Sequence, residues 1–186
     1  MQECLTLPGA FLTSAYSRYY LYLSHMKLNI YTFLAICLMG TFAACKKDST
    51  TETYDAAKYM AADTTAIRAY IKANNIPAIK LPSGLFYQII APGSGNVNYT
   101  NATRITCEYE GKLLNGTVFD TTTGKGPATL DLGGLIVGWQ IGVPLIQKGG
   151  KVRLLIPSYY GYRNSVKDGI PVNSPLDFTI TLNDVK

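Results

Sequence analysis

The side chains that usually carry covalent or metal catalysis are few and scattered in this 186-residue chain. The single histidine, His25, lies in a segment that we interpret below as upstream of the true start. No Gly-x-Ser-x-Gly motif occurs, and the carboxylates are not paired at a spacing that suggests hydrolysis. Gly93-Ser94-Gly95 lacks the lysine and the following helix that phosphate binding requires. The sequence therefore predicts an activity without nucleophile, metal or cofactor.

Short aromatic and glycine motifs occur instead in the second half of the chain. In order they are YEGKL at 109–113, NGTVFD at 115–120, VGWQIGV at 137–143, GGKVRLLIP at 149–157 followed by YGY at 160–162, and LDFTITL at 176–182. Each motif alone is a weak signal. The ordered set is specific, because an unrelated chain would have to satisfy every motif at once.

This ordered set resembles the signature of FKBP-type peptidyl-prolyl cis/trans isomerases over roughly residues 85–186. The resemblance implies an enzyme that acts on proline-containing polypeptides, and a macrolide as a further ligand. The residues it implies as catalytic are Tyr109, Phe119, Asp120, Trp139, Tyr162 and Phe178. Those it implies as substrate-binding are Leu135, Ile136 and Ile170. In the family arrangement Trp139 forms the floor under the substrate proline ring.

The implied chemistry agrees with the absence of a nucleophile motif. The barrier to rotation about a peptide bond, about 18–20 kcal/mol, comes from amide resonance and not from a bond that must break. A desolvated aromatic cup favours the twisted, less conjugated amide over the planar one. The family implies that Tyr162 donates a hydrogen bond to a substrate carbonyl and that Asp120 biases the local field.

The elements that must position these residues follow from hydrophobic periodicity. Apolar residues alternate with polar ones at 85–89, 105–109, 152–156 and 176–182, which predicts half-buried antiparallel strands. Residues 135–146 form an apolar stretch that predicts one short helix. The predicted fold class is α+β, a twisted antiparallel half-barrel sheet that wraps one short helix and carries an N-terminal helical extension.

That extension is predicted from residues 63–74. Asp63 is a plausible N-cap, and Ile67, Tyr70 and Ile71 share a helical face. Asn74-Asn75 and Pro77 are expected to end the helix. Two interpretations remain open: the helix pads the main domain, or it pairs with a second copy of the chain to form a homodimer.

The N-terminal region has the order of a secretory signal. Met26-Lys27 precedes an apolar run at 30–42 that is too short for a comfortable membrane span, and small residues follow it. Phe42-Ala43-Ala44-Cys45 resembles the lipobox of bacterial lipoproteins, in which the cysteine is lipidated. The alternative is that Cys45 is an ordinary thiol at the end of a membrane anchor.

Together these signals predict a protein of the bacterial cell envelope, anchored by lipid at Cys45, with the outer membrane preferred and the domain facing the periplasm or the surface. The predicted segments are an upstream non-native start at 1–25, a lipoprotein signal peptide at 26–44, a lipidated cysteine and polar tether at 45–62, a helix and linker at 63–82, and the isomerase domain at 83–186. The formal net charge is +5, but the basic residues are scattered, so nucleic-acid binding is not expected.

Three departures from the family pattern are visible. Ala128 stands where the family usually has a second pocket aromatic, Lys125 lies near the position of the family's arginine, and Arg163 follows Tyr162 where the family often has glycine. We expect a shallower cup and weaker catalysis from them. They keep a second hypothesis open, namely a binding module or holdase chaperone with the same fold.

Overall fold

The computed structural model describes residues 54–186, so the predicted signal peptide, Cys45 and most of the predicted tether lie outside it. In this range the helices are α1, Ala56–Ala73, and α2, Val137–Gly142. The strands are β1 (Ile79–Lys80), β2 (Phe86–Ala91), β3 (Arg104–Leu113), β4 (Val118–Thr121), β5 (Ala128–Asp131), β6 (Lys151–Ile156) and β7 (Leu176–Val185). Short 3-10 turns at Leu132–Gly134 and Val143–Leu145 flank α2, and another at Ser158–Tyr160 follows β6.

The seven strands form one sheet in the order β1-β2-β6-β7-β3-β4, and β5 also pairs with β3. Every pairing is antiparallel. The register sets Ile180 of β7 opposite Tyr109 of β3 and sets Phe178 between Gly111 and Leu154. The α+β class predicted from the sequence is confirmed.

The core lies on the sheet face that carries α2. Val152, Leu154 and Ile156 of β6 and the alternate residues of β7 point into it and are buried. Helix α2 lies very close to β6, because a Cβ atom built on Gly138 would come within 2.5 Å of Ile156 and one on Gly142 within 2.4 Å of Leu154. The two glycines thus let the backbone of α2 contact the side chains of Ile156 and Leu154 on β6, and this packs α2, which carries Trp139, closely against the sheet.

Helix α1 begins earlier than the sequence predicted. Its first residue is Ala56, and the side chain of Asp55 accepts a hydrogen bond from the Lys58 amide at 3.0 Å as the N-cap. The predicted end of the tether at residue 62 and the predicted helix start at Asp63 are therefore wrong, because the alanine-rich run at 56–62 has high helix propensity. The predicted end is confirmed, with Asn74 as the C-cap. No helix within residues 54–186 has the length and apolar character needed to cross a membrane.

Helix α1 packs on the sheet face opposite α2. Ile67 is fully buried in a cluster with Ile76, Phe86 and Leu155, and the last two face each other on paired strands. This is the padding arrangement that the sequence left open. The homodimer stays a prediction, and the Ile67 side of the helix is already occupied by the protein's own sheet.

The buried thiol of Cys107 gives a first test of this packing. Its side chain is 0% exposed on β3, and burial raises the pKa of the thiol to about 11. Because the thiolate is the reactive form, we expect Cys107 to resist alkylation in the native protein at about pH 8 and to react once the chain is unfolded in urea. Mass-spectrometric mapping of iodoacetamide adducts measures this directly, and rapid native labelling at Cys107 would contradict the described packing.

Candidate active site

The sheet, α2 and the loop after β6 enclose a cavity of about 160 Å³. Its lining is mainly aromatic and aliphatic, with one carboxylate at the edge: Tyr109, Asp120, Leu130, Leu135, Ile136, Trp139, Tyr162 and Phe178. The cavity thus brings together all the residues implied by the family resemblance except Phe119 and Ile170. We call this cavity the aromatic cleft.

The lining residues come from several elements of the fold. Tyr109 and Phe178 lie on neighbouring strands β3 and β7, and Asp120 lies on β4, which pairs with β3. The hairpin between β3 and β4 turns at Asn115-Gly116, where Gly116 has φ +89°, a conformation that favours glycine. Leu135 and Ile136 immediately precede α2, and Ile136 is the residue from which the helix starts.

Trp139 forms the base of the cleft and is held by edge-to-face contacts. Its ring centroid lies 5.3 Å from that of Tyr109 at an interplanar angle of 85°, and 5.3 Å from that of Phe178 at 84°. Such geometry sets the positive edge of one ring against the negative face of another and is preferred to flat stacking. The indole is 4% exposed, so its position is fixed before any ligand arrives.

Phe119 and Ile170 are not among the residues that line the cleft. Phe119 packs edge-to-face on Phe178 with centroids 5.4 Å apart, and both rings press on Gly111, where a Cβ atom would lie 2.8 Å and 2.6 Å from them. Ile170 is 8% exposed and belongs to the core. Their direct roles in substrate contact therefore stay predictions.

The polar groups of the cleft are two tyrosine hydroxyls and one carboxylate. The Tyr109 hydroxyl donates to Asp120 Oδ2 at 2.7 Å. Burial, and then the hydrogen bond to Asp120, raise the pKa of Tyr109. Burial and then the Asp120 charge also raise the pKa of Tyr162. Both hydroxyls are thus protonated donors at neutral pH, and in the described part of the chain the Tyr162 hydroxyl has no hydrogen-bond partner in the protein.

Residues 95–183 match the family described as FKBP-type peptidyl-prolyl cis-trans isomerase. The macrophage infectivity potentiator of Trypanosoma cruzi is 34% identical over 167 residues, which cover 85% of this chain and 85% of that protein. This chain belongs to the FKBP-type peptidyl-prolyl cis-trans isomerase family. Over its FKBP-type region it is also 45% identical to FkpA of Buchnera aphidicola from Schizaphis graminum, over 108 residues.

That second match covers 58% of this chain but 43% of the Buchnera protein, so the FKBP-type chain spans less than half of that relative. Among solved structures, FkpA from Escherichia coli aligns with a TM-score of 0.61 and 34% sequence identity. The alignment covers 71% of this chain and 61% of that one.

One lining residue of this FKBP-type cleft was missed by sequence reasoning. Leu130 of β5 lines the cavity, while Ala128, where the family usually has an aromatic, pairs with Cys107 on β3. The alternation of Ala128, Leu130 and buried Leu132 is the signal that could have identified it. The wall that β5 contributes is therefore aliphatic, and the shallower cup stays a prediction.

The other two departures are also visible in the structure. Among the described residues no ion pair involves Asp120 or Lys125, so the Tyr109 hydroxyl and not a basic residue is the partner of Asp120. Arg163 has φ +55°, the left-handed conformation that glycine adopts without strain. This explains in physical terms why glycine is common there in the family.

A larger groove of about 480 Å³ lies over the outward-facing side chains of β3 and β7. Its walls are formed mainly by hydroxyls and charged groups, including Glu108, Glu110, Thr179 and Thr181. A prolyl ring needs an apolar surface, and Tyr109 is the single aromatic residue among those that line this groove. We therefore place the candidate active site in the smaller aromatic cleft.

Proposed function

We propose that this chain is a peptidyl-prolyl cis/trans isomerase that binds the prolyl ring of a polypeptide in the aromatic cleft and stabilises the twisted X-Pro amide there without covalent chemistry. The observation that carries the proposal is Trp139, held edge-on by Tyr109 and Phe178 at the base of a cavity of about 160 Å³. Pockets for drug-sized ligands are larger, roughly 300–1,000 Å³, so this one suits a single small ring.

The polar groups at the cleft favour the twisted amide over the planar one. Rotation about the C–N bond removes resonance from the amide. It also turns the carbonyl oxygen out of the position in which water solvated it. The protonated Tyr162 hydroxyl is free to donate to a substrate carbonyl. The Asp120 carboxylate, fixed by Tyr109, supplies a constant negative field beside the reacting bond. These groups are in place before the substrate binds, so little reorganisation accompanies the reaction.

The substrates and the site of action are part of the same proposal. We infer that the clients are exported polypeptides that fold in the bacterial envelope, where uncatalysed prolyl isomerisation takes tens to hundreds of seconds. Support comes from the apolar run at 30–42 and the lipobox-like sequence that ends at Cys45, which would anchor the protein by lipid to the outer membrane. A macrolide would bind over the same cleft, with most of its volume outside the cavity of about 160 Å³.

A second candidate function is a holdase or binding module with little turnover. The specific observation in its favour is the aliphatic wall that Leu130 forms, while Ala128, which stands where the family usually has a second aromatic, does not line the cleft. A weaker wall would still bind apolar segments of unfolded chains. It would hold the ring less firmly while the carbonyl rotates.

A prolyl isomerisation assay separates the two candidates. We expect the wild-type protein to accelerate cis/trans exchange of a short X-Pro peptide, followed by NMR exchange or by coupled proteolysis. Tyr162→Phe should lower kcat/KM about tenfold, the effect of one lost hydrogen bond.

The matched control is Tyr99→Phe, which also removes a hydroxyl, but one that donates to the Ile146 carbonyl outside the cleft. This variant should keep the wild-type rate. A well-folded wild-type chain that does not accelerate X-Pro exchange would refute the isomerase function and leave the holdase function. The holdase function would then be tested by whether the protein suppresses the aggregation of an unfolded client.

A further inference from the structure

Tyr162 is carried by irregular backbone, not by a strand or a helix. Strand β6 ends at Ile156, the turn Ser158–Tyr160 follows, and Tyr162 comes directly afterwards. The Ser158 carbonyl accepts from the amides of Gly161 and Arg163, each at 3.0 Å. Ser158 thus holds the backbone on both sides of Tyr162, and whatever fixes Ser158 also fixes the hydroxyl proposed to act on the substrate.

Ser158 is fixed by a carboxylate from helix α1. The Oδ2 atom of Asp63 accepts two hydrogen bonds, one from the Ser158 amide at 2.7 Å and one from Ser158 Oγ at 2.6 Å. The hydroxyl of Tyr54 lies 2.9 Å from the same Oγ. These contacts join residues about half the length of the chain apart, so they tie the N-terminal helix directly to the loop of the cleft.

The carboxylate is buried without a basic partner. Asp63 is 4% exposed, Ser158 is 0% exposed, and none of the ion pairs found in residues 54–186 includes Asp63. Burial raises the pKa of Asp63, and the two bonds from Ser158 act against this rise. A buried carboxylate is costly unless it is well hydrogen-bonded, and here both donors come from the one residue that anchors the Tyr162 segment.

The far side of Tyr162 is also restrained. Arg163 adopts a left-handed backbone conformation, and its Nε donates to the Tyr159 carbonyl at 2.9 Å while its guanidinium lies 4.6 Å from the centroid of the Tyr159 ring. The Arg163 carbonyl accepts from the Asn173 amide at 2.7 Å. These contacts lie within the loop. Asp63 ties the loop to helix α1, and the Tyr160 hydroxyl ties it to the Ser83 carbonyl at 2.9 Å.

We propose that Asp63 is a positioning residue for the aromatic cleft, whose carboxylate on helix α1 fixes the Ser158 turn and thereby orients the Tyr162 hydroxyl towards the substrate. The inference rests on the proposed isomerase function. Helix α1 thereby contributes to catalysis through Asp63. The hydrophobic packing of Ile67 alone would not give the helix such a contribution.

Two readouts test this proposal, one of activity and one of structure. We expect Asp63→Ala to lower kcat/KM for an X-Pro peptide about tenfold, and Asp63→Asn to restore most of it, because the amide oxygen still accepts from Ser158. In a protein with 13C-labelled tyrosine rings, Asp63→Ala should shift and broaden the Tyr162 ring signals. The control is Tyr70→Phe, which removes a bond from the same helix to Asp177 and should leave kcat/KM and the Tyr162 signals unchanged.

A double-mutant cycle distinguishes positioning from a loss of stability. If Asp63 acts through Tyr162, Asp63→Ala should have no further effect on kcat/KM in a Tyr162→Phe background. An equal loss in both backgrounds, or unchanged Tyr162 ring signals in Asp63→Ala, would overturn the proposal.

Two outcomes, an unfolded variant and an inactive wild-type protein, each require a different measurement. If Asp63→Ala does not fold, Ser158→Ala removes one of the two donors and keeps the other, and the same cycle and the same signals are read from it. If the wild-type protein is inactive, the isomerase function fails on its own, and the ring signals still decide whether Asp63 positions Tyr162.

Discussion

Replacement of Trp139 by alanine is expected to lower kcat/KM for an X-Pro peptide by about 70-fold. The reason is burial of the ligand: if about 100 Å² of apolar surface of the prolyl ring leaves water in the cleft that has the indole at its base, loss of that burial costs about 2.5 kcal/mol at roughly 25 cal/mol per Å². The substitution also leaves a cavity under Tyr109 and Phe178, and truncation of a buried aromatic costs about 3–5 kcal/mol of stability. Activity is therefore measured at a temperature where far-UV circular dichroism shows the variant folded.

The control must destabilise the protein without reaching the cleft. Leu155 is 1% exposed and packs against Ile67 and Phe86 on the opposite face of the sheet. Leu155→Ala should cost a similar amount, about 2–5 kcal/mol, and keep the wild-type kcat/KM while it is folded. Equal losses of kcat/KM in Leu155→Ala and Trp139→Ala would show that the effect of Trp139 is one of stability alone.

The second large effect is expected at Asp177. Its carboxylate is 0% exposed and accepts from Arg153 Nε at 2.9 Å, from Arg153 Nη2 at 2.6 Å and from the Tyr70 hydroxyl at 3.0 Å. Asp177→Ala leaves the Arg153 guanidinium partly buried without a counter-charge, so we expect a loss of about 3–5 kcal/mol in the free energy of unfolding. Urea titration followed by the fluorescence of Trp139, the only tryptophan, measures it.

Two variants sharpen that result. Asp131 pairs with Arg104 at 2.8 Å on the surface, where the two side chains are 61% and 62% exposed, so Asp131→Ala should hardly move the urea midpoint. Arg153→Met combined with Asp177→Leu should recover much of the stability lost in Asp177→Ala, because apolar side chains then replace both members of the ion pair and no unpaired charge remains. Equal midpoints for Asp177→Ala and Asp131→Ala would contradict a structural role for the buried pair.

The sequence predicted the sheet and most of the cleft because both depend on local patterns. Alternation along β6 and β7 identifies the buried face, and the ordered family motifs place Tyr109, Trp139 and Phe178 around it. The aliphatic wall at Leu130 follows the same period, but β5 is only four residues long and alternation over so short a run is weak.

The contacts of helix α1 were not predictable in the same way. Asp63 looks like an N-cap because short polar residues follow it, and only the fold reveals that its partner is Ser158, 95 positions further along the chain. The Tyr109–Asp120 bond is an intermediate case, since the Asn115-Gly116 turn brings β3 and β4 together but does not specify which side chains meet. Long-range polar pairing leaves no period in the sequence, whereas burial does.

The close approach of α2 to β6 at Gly138 and Gly142 determines how the cleft responds to a ligand. With its backbone already touching Ile156 and Leu154, the helix has no deeper position to take, and Trp139 cannot retreat. The side chains of the cleft therefore lost their conformational entropy during folding. Binding of a proline ring orders them little further, so the additional entropic cost of binding is small. The same rigidity makes the cleft selective for ring size, because a bulkier ring has to remain at the rim where water can reach it.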